Sequence, residues 1–333
     1  MLHALSKPSL ASIPVIDSGT DYPLSTLRAF EDRAHDLMDL ATKGVPAAAL
    51  RQLDKVSLRW LERWENDHLS EITAVAERLA RPGAYFFSVN YEWGCTCRVS
   101  PAPDHRSARL IRVLDWRTRG LGRNVIAARV SAPAGTFVTL TWPGYTGVLS
   151  GMAPGRFSAA LNQAPMRKSA GFYYLDWAAN RRRVWHMPHP TPAHLLRSVF
   201  QEAGSYAQAR RRLVSEPIST PAIFSLAGLR PGETTVIERM ETDARVHDGQ
   251  NVAANHWQAP GWHGHARGRD SAGRARRMHA IEPELDPEFP WLEEPILNRR
   301  TRLVMVSDAS LGRLVAQGYE DMAPATRPLD LIA

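Results

Sequence analysis

The chain contains two cysteines, Cys95 and Cys97, placed one residue apart directly behind Gly94 in the run YEWGCTCRVS. Such a pair could serve several kinds of chemistry. Thiolates bind soft metals, and His186, His189 and His194 in HMPHPTPAH or His263 and His265 in WHGH could add ligands. None of those spacings is a standard zinc pattern, and histidines beside prolines and glycines read as exposed loop residues. A disulfide within the pair is disfavoured, because a single intervening residue strains the ring. A thiolate is also a nucleophile, and a nearby arginine favours it. Arg112 and Asp115 lie three apart in LIRVLDW, which ends a hairpin begun on the cysteine strand. The hairpin can return both side chains to the cysteine. An inert buried cysteine and an ordinary Arg–Asp surface pair remain open on this evidence.

The rest of the composition narrows the partners. A chain of 333 residues can bury a sizeable core. The formal charge of +7 and the arginine runs NRRRVW and ARRRL are compatible with phosphate contacts. No nucleic-acid-binding motif surrounds them, so no nucleic-acid partner is expected. Two cysteines cannot make a disulfide framework. The opening MLHALSKPSLASIPVIDSGTDYP lacks the apolar run of a signal peptide, and no later run is long enough to span a bilayer. A cytoplasmic protein with no metal and no cofactor is expected.

The elements that must position these residues follow from periodicity. Leu24, Leu27, Phe30, Ala34, Leu37 and Met38 recur at helical spacing. Two further helical patterns follow, over Leu50 to Leu61 and Ile72 to Leu79, until RPG at Arg81 to Gly83 ends the helical part. AYFFSVNYEW, TCRVS, ARLIRVLDW, VIAARVSA and GTFVTLTW then read as successive strands. Thr191 and Ser205 are N-caps of two helices, and Asp270 or Ser271 caps a third. AIFSLAGL, ETTVIERME, ARVHDG, NVAANHW and TRLVMV add strands, and Gly261 to Arg274 reads as a mobile loop. Short links between strands require largely antiparallel sheets, and stacked sheets with helices outside bury them. The class is α+β.

At this point a family resemblance is visible. GCTCRVS followed by LIRVLDW resembles the start of the mature catalytic chain in the acid ceramidase and N-acylethanolamine acid amidase family, which carries Cys-Thr-Ser and then Arg-Asn-x-Asp. GYTGVLSGMAPGRFSAALNQ is similar to the family's Gly-Tyr-x-Gly-x-Leu-x-Gly-x-x-Pro-Gly-x-Phe-Ser…Leu-Asn-Glu segment. PAIFSLAGLRPGETTVIERM, VAANHW and DSAGRARRM resemble later family segments, and VNYEW resembles its Phe-Tyr-Glu approach to the cysteine. The matches run from about Ile13 to Met278. Three departures stand out. The interval from Cys95 to Asp115 is one residue longer, Cys97 replaces a serine, and Gln163 replaces a glutamate.

The resemblance implies an N-terminal nucleophile hydrolase with an αββα sandwich that cuts itself between Gly94 and Cys95. Residues 1–94 would form a helical small chain and residues 95–333 the catalytic domain, the two staying associated. A freed α-amino group, with an unperturbed pKa of roughly 7.7–8, can serve as the base for its own thiol. As an amide the same nitrogen is not basic, so the uncut chain should be inactive. Gly94 would supply the backbone freedom that a strained scissile bond needs. Cys95 is then the nucleophile, Asp115 holds the α-amino group, and Arg112 favours the thiolate and orients the acyl carbonyl. Asn162 and Asn255 would stabilise the oxyanion. Arg274 matches a family arginine, and Gln163 bears on self-cleavage. Trp142, Tyr145 and Met152 would line the acyl site. The implied substrate is a small N-acyl amide, lipophilic in its acyl half, and the reading admits transient contact with a membrane or lipid surface. Acyl transfer of the isopenicillin N acyltransferase type, hydrolysis of bile-salt or penicillin V type, and a non-catalytic lipid- or partner-binding protein are the alternatives.

Overall fold

The computed structural model describes residues 10–90 and 92–333. The first nine residues, within the segment searched for a signal peptide, lie outside that range, as does Tyr91 of VNYEW. In chain order the elements are β1 (Val15–Gly19), α1 (Leu24–Ala29), α2 (Glu31–Thr42), α3 (Ala47–Arg63), α4 (Leu69–Leu79), α5 (Ala84–Val89), β2 (Trp93–Pro101), β3 (Ala108–Trp116), β4 (Ile126–Val130), β5 (Phe137–Thr141), β6 (Ser150–Ala153) and β7 (Phe157–Gln163). They continue with α6 (Tyr173–Trp185), α7 (Pro192–Glu202), α8 (Tyr206–Ser215), β8 (Ala222–Ala227), β9 (Thr234–Arg239), β10 (Ala244–Asp248), β11 (Asn251–Ala253), α9 (Ser271–His279), β12 (Thr301–Asp308), β13 (Arg313–Glu320), β14 (Ala323–Pro324) and β15 (Leu329–Ile332).

The strands form two sheets, ordered β1-β4-β5-β6-β7-β8-β9-β10 and β11-β2-β3-β12-β13-β14, with β15 paired to β13. Pairing is antiparallel apart from β1 with β4. The sheets stack through one core, in which Cys95, Cys97, Leu110 and Leu114 of one sheet join Leu161 and Phe224 of the other. The opposite face of β2 and β3 is also covered. There Ile111 and Val113 join Met278 of α9 and Phe289 and Ile296 of the segment beyond it. Successive strand residues point to opposite faces, so β2 and β3 present two different buried surfaces.

Several elements differ from the sequence-based expectation. AYFFSV, read as strand, is helix α5. Asp54 on α3 accepts the backbone N–H groups of Gly83 (2.6 Å) and Phe86 (2.9 Å), a cap supplied from another helix that overrides β-propensity. YYLDWAANRRRVW forms α6, which periodicity missed because Tyr174 and Leu175 face solvent. Strand β1 was not foreseen, and it ties the N-terminal segment into the first sheet. Thr191, Ser205 and Asp270 are side-chain caps of α7, α8 and α9. The segment expected to be a mobile loop is pinned. His265 pairs with Met166 through backbone and its Nε2–H donates to Asp176 Oδ2 at 2.9 Å, while the last residues of the segment open α9. His194, expected on an exposed loop, is buried on α7 with its ring 4.6 Å from that of His68. Among the described residues, no helix is long and apolar enough to cross a membrane.

Candidate active site

The hairpin of β2 and β3 sets the register around the cysteines. Gly94 lies opposite Asp115, Cys95 opposite Leu114, and Cys97 opposite Arg112. Arg112 therefore shares the inner face with both thiols, whereas Asp115, three residues on, faces outward with Thr96. Gly94 is ordinary strand backbone. A Cβ there would come no closer than 3.4 Å to Asp115 Cβ and Gly268 Cα, so the conformational demand expected at Gly94 is not seen. The demand falls on Gly268 instead, which has a positive φ and would drive a Cβ to 2.7 Å from Arg274 Nη2.

Cys95 is fully buried and held at both ends of its backbone. Its N–H donates to Asn255 Oδ1 at 2.7 Å, and its carbonyl accepts from Arg274 Nη1 at 2.6 Å. Arg274 also donates to Thr96 Oγ1 at 2.6 Å, to Asn255 Oδ1 at 2.9 Å and, through Nε, to the Arg269 carbonyl at 2.9 Å. Asp115 lies 3.6 Å from Arg274 Nη1 and accepts from Asn298 Nδ2 and Thr301 Oγ1, each at 3.0 Å. This differs from the expectation that Asp115 holds the Cys95 nitrogen. In the continuous chain that partner is Asn255, and Asp115 reaches Cys95 only through Arg274.

The inner face is built differently. Arg112 Nη1 donates to Asn162 Oδ1 at 2.7 Å and lies 3.5 Å from Cys97 Sγ. Cys97 donates to the same Asn162 oxygen at 3.0 Å. Asn162 Nδ2 donates to the Ala253 and Ala254 carbonyls, each at 3.1 Å, so its N–H groups are already used and do not form the expected oxyanion donor. Asn255 Nδ2 is likewise engaged, with the Gln163 carbonyl at 2.8 Å. The donors that remain are Arg112 Nε and Nη2, which are buried without a hydrogen-bond partner among the described residues. Burial pushes the Cys95 thiol up to about 12, with Arg112 opposing it. Burial also raises Cys97, again against Arg112. Gln163 Oε1 accepts the Trp93 N–H at 2.9 Å, one residue before the proposed cleavage point.

Two cavities adjoin these residues. The larger, of about 670 Å³, is lined by Trp93, Leu161 and Asn162 near Cys95, and by apolar side chains of α3 and α6 such as Trp60 and Trp177. The smaller, of about 330 Å³, is lined mainly by apolar residues of α2, α4 and α5 with Trp116, Trp142 and Tyr145. Trp142 and Tyr145 thus stand where an apolar group could sit. Met152 lines neither cavity. It is fully buried on β6 and belongs to the core, so its expected place at the acyl site is not seen. Sequence reasoning missed Arg181, Glu92 and Phe86, which line both cavities, because the helices carrying Arg181 and Phe86 were not recognised.

No family model matches the chain. Among curated proteins it is 31% identical over 108 residues to acid ceramidase of Heterocephalus glaber, covering 32% of this chain and 26% of that protein. It is 32% identical over 103 residues to acid ceramidase of Homo sapiens, covering 31% and 25%. The matched part thus spans about a quarter of these relatives' length. Among solved structures, the Caenorhabditis elegans N-acylethanolamine-hydrolyzing acid amidase ortholog aligns with a TM-score of 0.50 at 22% identity, over 65% of this chain and 94% of that one. A mutant of conjugated bile acid hydrolase from Clostridium perfringens aligns with a TM-score of 0.41 at 11% identity, over 71% and 92%.

Proposed function

Starting from the premise that this chain belongs to the acid ceramidase and N-acylethanolamine acid amidase-like family, we propose that it is a self-processing cysteine amidohydrolase of lipophilic N-acyl amides. The observation that carries this reading is the grip on Cys95. Its nitrogen and carbonyl are fixed by Asn255 and Arg274, while its side chain shares a buried face with a partly unpartnered Arg112.

The chemistry proceeds in two stages. Cys95 Sγ attacks the Gly94 carbonyl, the thiol proton passes to the Cys95 nitrogen as the C–N bond breaks to leave a thioester, and water then hydrolyses the thioester to a Gly94 carboxylate and the Cys95 thiol with its free α-amine. Asn255 Oδ1, already bonded to that nitrogen, orients the amine. The amine then takes the thiol proton, and the thiolate attacks the substrate carbonyl. The oxyanion is met by the Arg112 donors. The leaving amine departs with the proton, and water, activated by the α-amine, frees the fatty acid. Fixed donors aimed at developing charge are worth roughly a hundred- to thousandfold each in rate. Until the chain opens, the Cys95 nitrogen is a non-basic amide, so the protein does not turn over substrate.

In this reading residues 1–94 form the small chain and 95–333 the catalytic domain. Strand β1, paired with β4, would keep them together after cleavage. An acyl chain suits the smaller, apolar cavity and the apolar α3 and α6 side chains of the larger one. Phe172, Tyr174 and Leu175 are exposed on or beside α6, and Leu53 and Val56 on α3, close to the larger cavity, which supports transient contact with a lipid surface.

The test is the intact mass of the purified protein beside Cys95→Ala, after incubation from acidic to mildly alkaline pH. Wild type splitting between Gly94 and Cys95, with the variant whole, is the expected result, followed by release of fatty acid from N-acyl amides. A wild-type chain that stays whole at every pH and hydrolyses none of them ends the reading.

A further inference from the structure

The larger cavity is lined by five charged side chains, Arg181, Arg183, Arg267, Glu92 and Glu241. Four of them are paired off. Arg267 Nη1 meets Glu92 at 3.0 Å, and Arg183 Nε meets Glu241 at 2.9 Å. Arg181 makes no ion pair among the described residues. Its Nη1 donates to the neutral Asn90 Oδ1, and its guanidinium lies 5.2 Å from the Trp177 ring centroid. Burial lowers its pKa, partly countered by the charge of Glu92 and reinforced by that of Arg267. A half-buried cation without its own carboxylate carries a desolvation cost that a matching anion would offset.

Its position says where that anion would sit. Arg181 also lines the smaller, apolar cavity, together with Phe86, Asn90 and Glu92, so it stands where the two cavities meet. The larger cavity adjoins the nucleophile, since Leu161 lines it and Cys95 Sγ lies 3.9 Å from the Leu161 carbonyl. A guanidinium held over an aromatic ring, as that of Arg181 is over Trp177, presents a planar fork suited to a carboxylate.

We infer that Arg181 is a specificity residue that binds a carboxylate on the amine half of the substrate, which makes the substrate an N-acyl amino acid. This rests on the amidohydrolase reading above and names its substrate class. Two substrates with one shared acyl chain test it, an N-acylglycine and an N-acylethanolamine. The kcat/KM of each is measured for wild type, Arg181→Gln, Arg181→Lys and, as a control for folding, Arg182→Gln on the exposed side of the same helix. Wild type should favour the N-acylglycine. Arg181→Gln should lose roughly ten- to a hundredfold on that substrate, the worth of a charge-assisted hydrogen bond, and leave the N-acylethanolamine unchanged. Arg181→Lys should recover part of the loss, and Arg182→Gln should match wild type on both. Equal wild-type rates on the two substrates, or equal losses in Arg181→Gln, overturn the inference and leave the amidohydrolase reading standing. Hydrolysis of neither by wild type defeats that reading and the inference with it.

Discussion

Two buried arginines flank Cys95 from opposite faces of the sheet, Arg274 of α9 outside and Arg112 of β3 inside, and they are treated oppositely. Arg274, on the outer face, is bonded through all three nitrogens. Its partners are the Cys95 and Arg269 carbonyls, Thr96 and Asn255, with Asp115 as counter-ion. Arg112, on the inner face, has one bonded nitrogen and two buried ones with no partner among the described residues. A saturated guanidinium holds its surroundings in place. An unsaturated one is costly in the resting protein and gains its partners when a negative charge forms nearby. We therefore assign positioning to the outer face and charge stabilisation to the inner one.

Exchanging each arginine for methionine would break this division if it is false. Arg274→Met strips the Cys95 carbonyl and Thr96 of their donor and leaves Asp115 a buried anion without its cation. Removing one partner of such a pair costs about 3–5 kcal/mol. Urea denaturation should show a loss of that size, and intact mass should show no self-cleavage. Arg112→Met should behave the other way round. It removes a buried charge with two unmet donors, a replacement that is often neutral or stabilising. Its folding midpoint should match or exceed that of wild type, while cleavage and turnover fall roughly a hundred- to thousandfold. Equal destabilisation by the two substitutions would abolish the distinction.

The same division shows what could be read from the sequence. The hairpin was legible, because short apolar alternation around the SPAPDHRSAR turn implies two antiparallel strands. That Arg112 and Asp115 fall on opposite faces was implicit in their odd separation, since strand side chains alternate. The hairpin brings the Arg112 side chain to the thiols and turns that of Asp115 to the other face, beside Arg274. The asparagines were different. Asn162 and Asn255 reach the cysteines only because two sheets stack and β11 pairs with β2, and nothing local dictates that Asn255 meets the Cys95 nitrogen. Arg181 was legible only as part of a basic run, because helix α6 exposes its apolar residues and so lacks the amphipathic signature. Helix α5 was hidden for another reason, as its cap comes from Asp54 on α3.

Cys97 sharpens the comparison with the smallest expected effect. It lies on the inner face beside Cys95, yet its thiol is engaged with Asn162 Oδ1 at 3.0 Å, the same oxygen that holds Arg112. It therefore shares an acceptor with Arg112, the arginine to which we assign charge stabilisation. A thiol is a weak donor, so Arg112 dominates that oxygen. A serine hydroxyl is a stronger donor and would compete for it, loosening Arg112. Cys97→Ser should thus keep self-cleavage at Gly94–Cys95 and change stability by less than about 1.5 kcal/mol, in the range of a single neutral hydrogen bond. It should lower turnover only a fewfold, and combined with Arg112→Met it should add nothing further, because its effect runs through that guanidinium. An additive loss in the double variant would show that Cys97 acts on Cys95 directly.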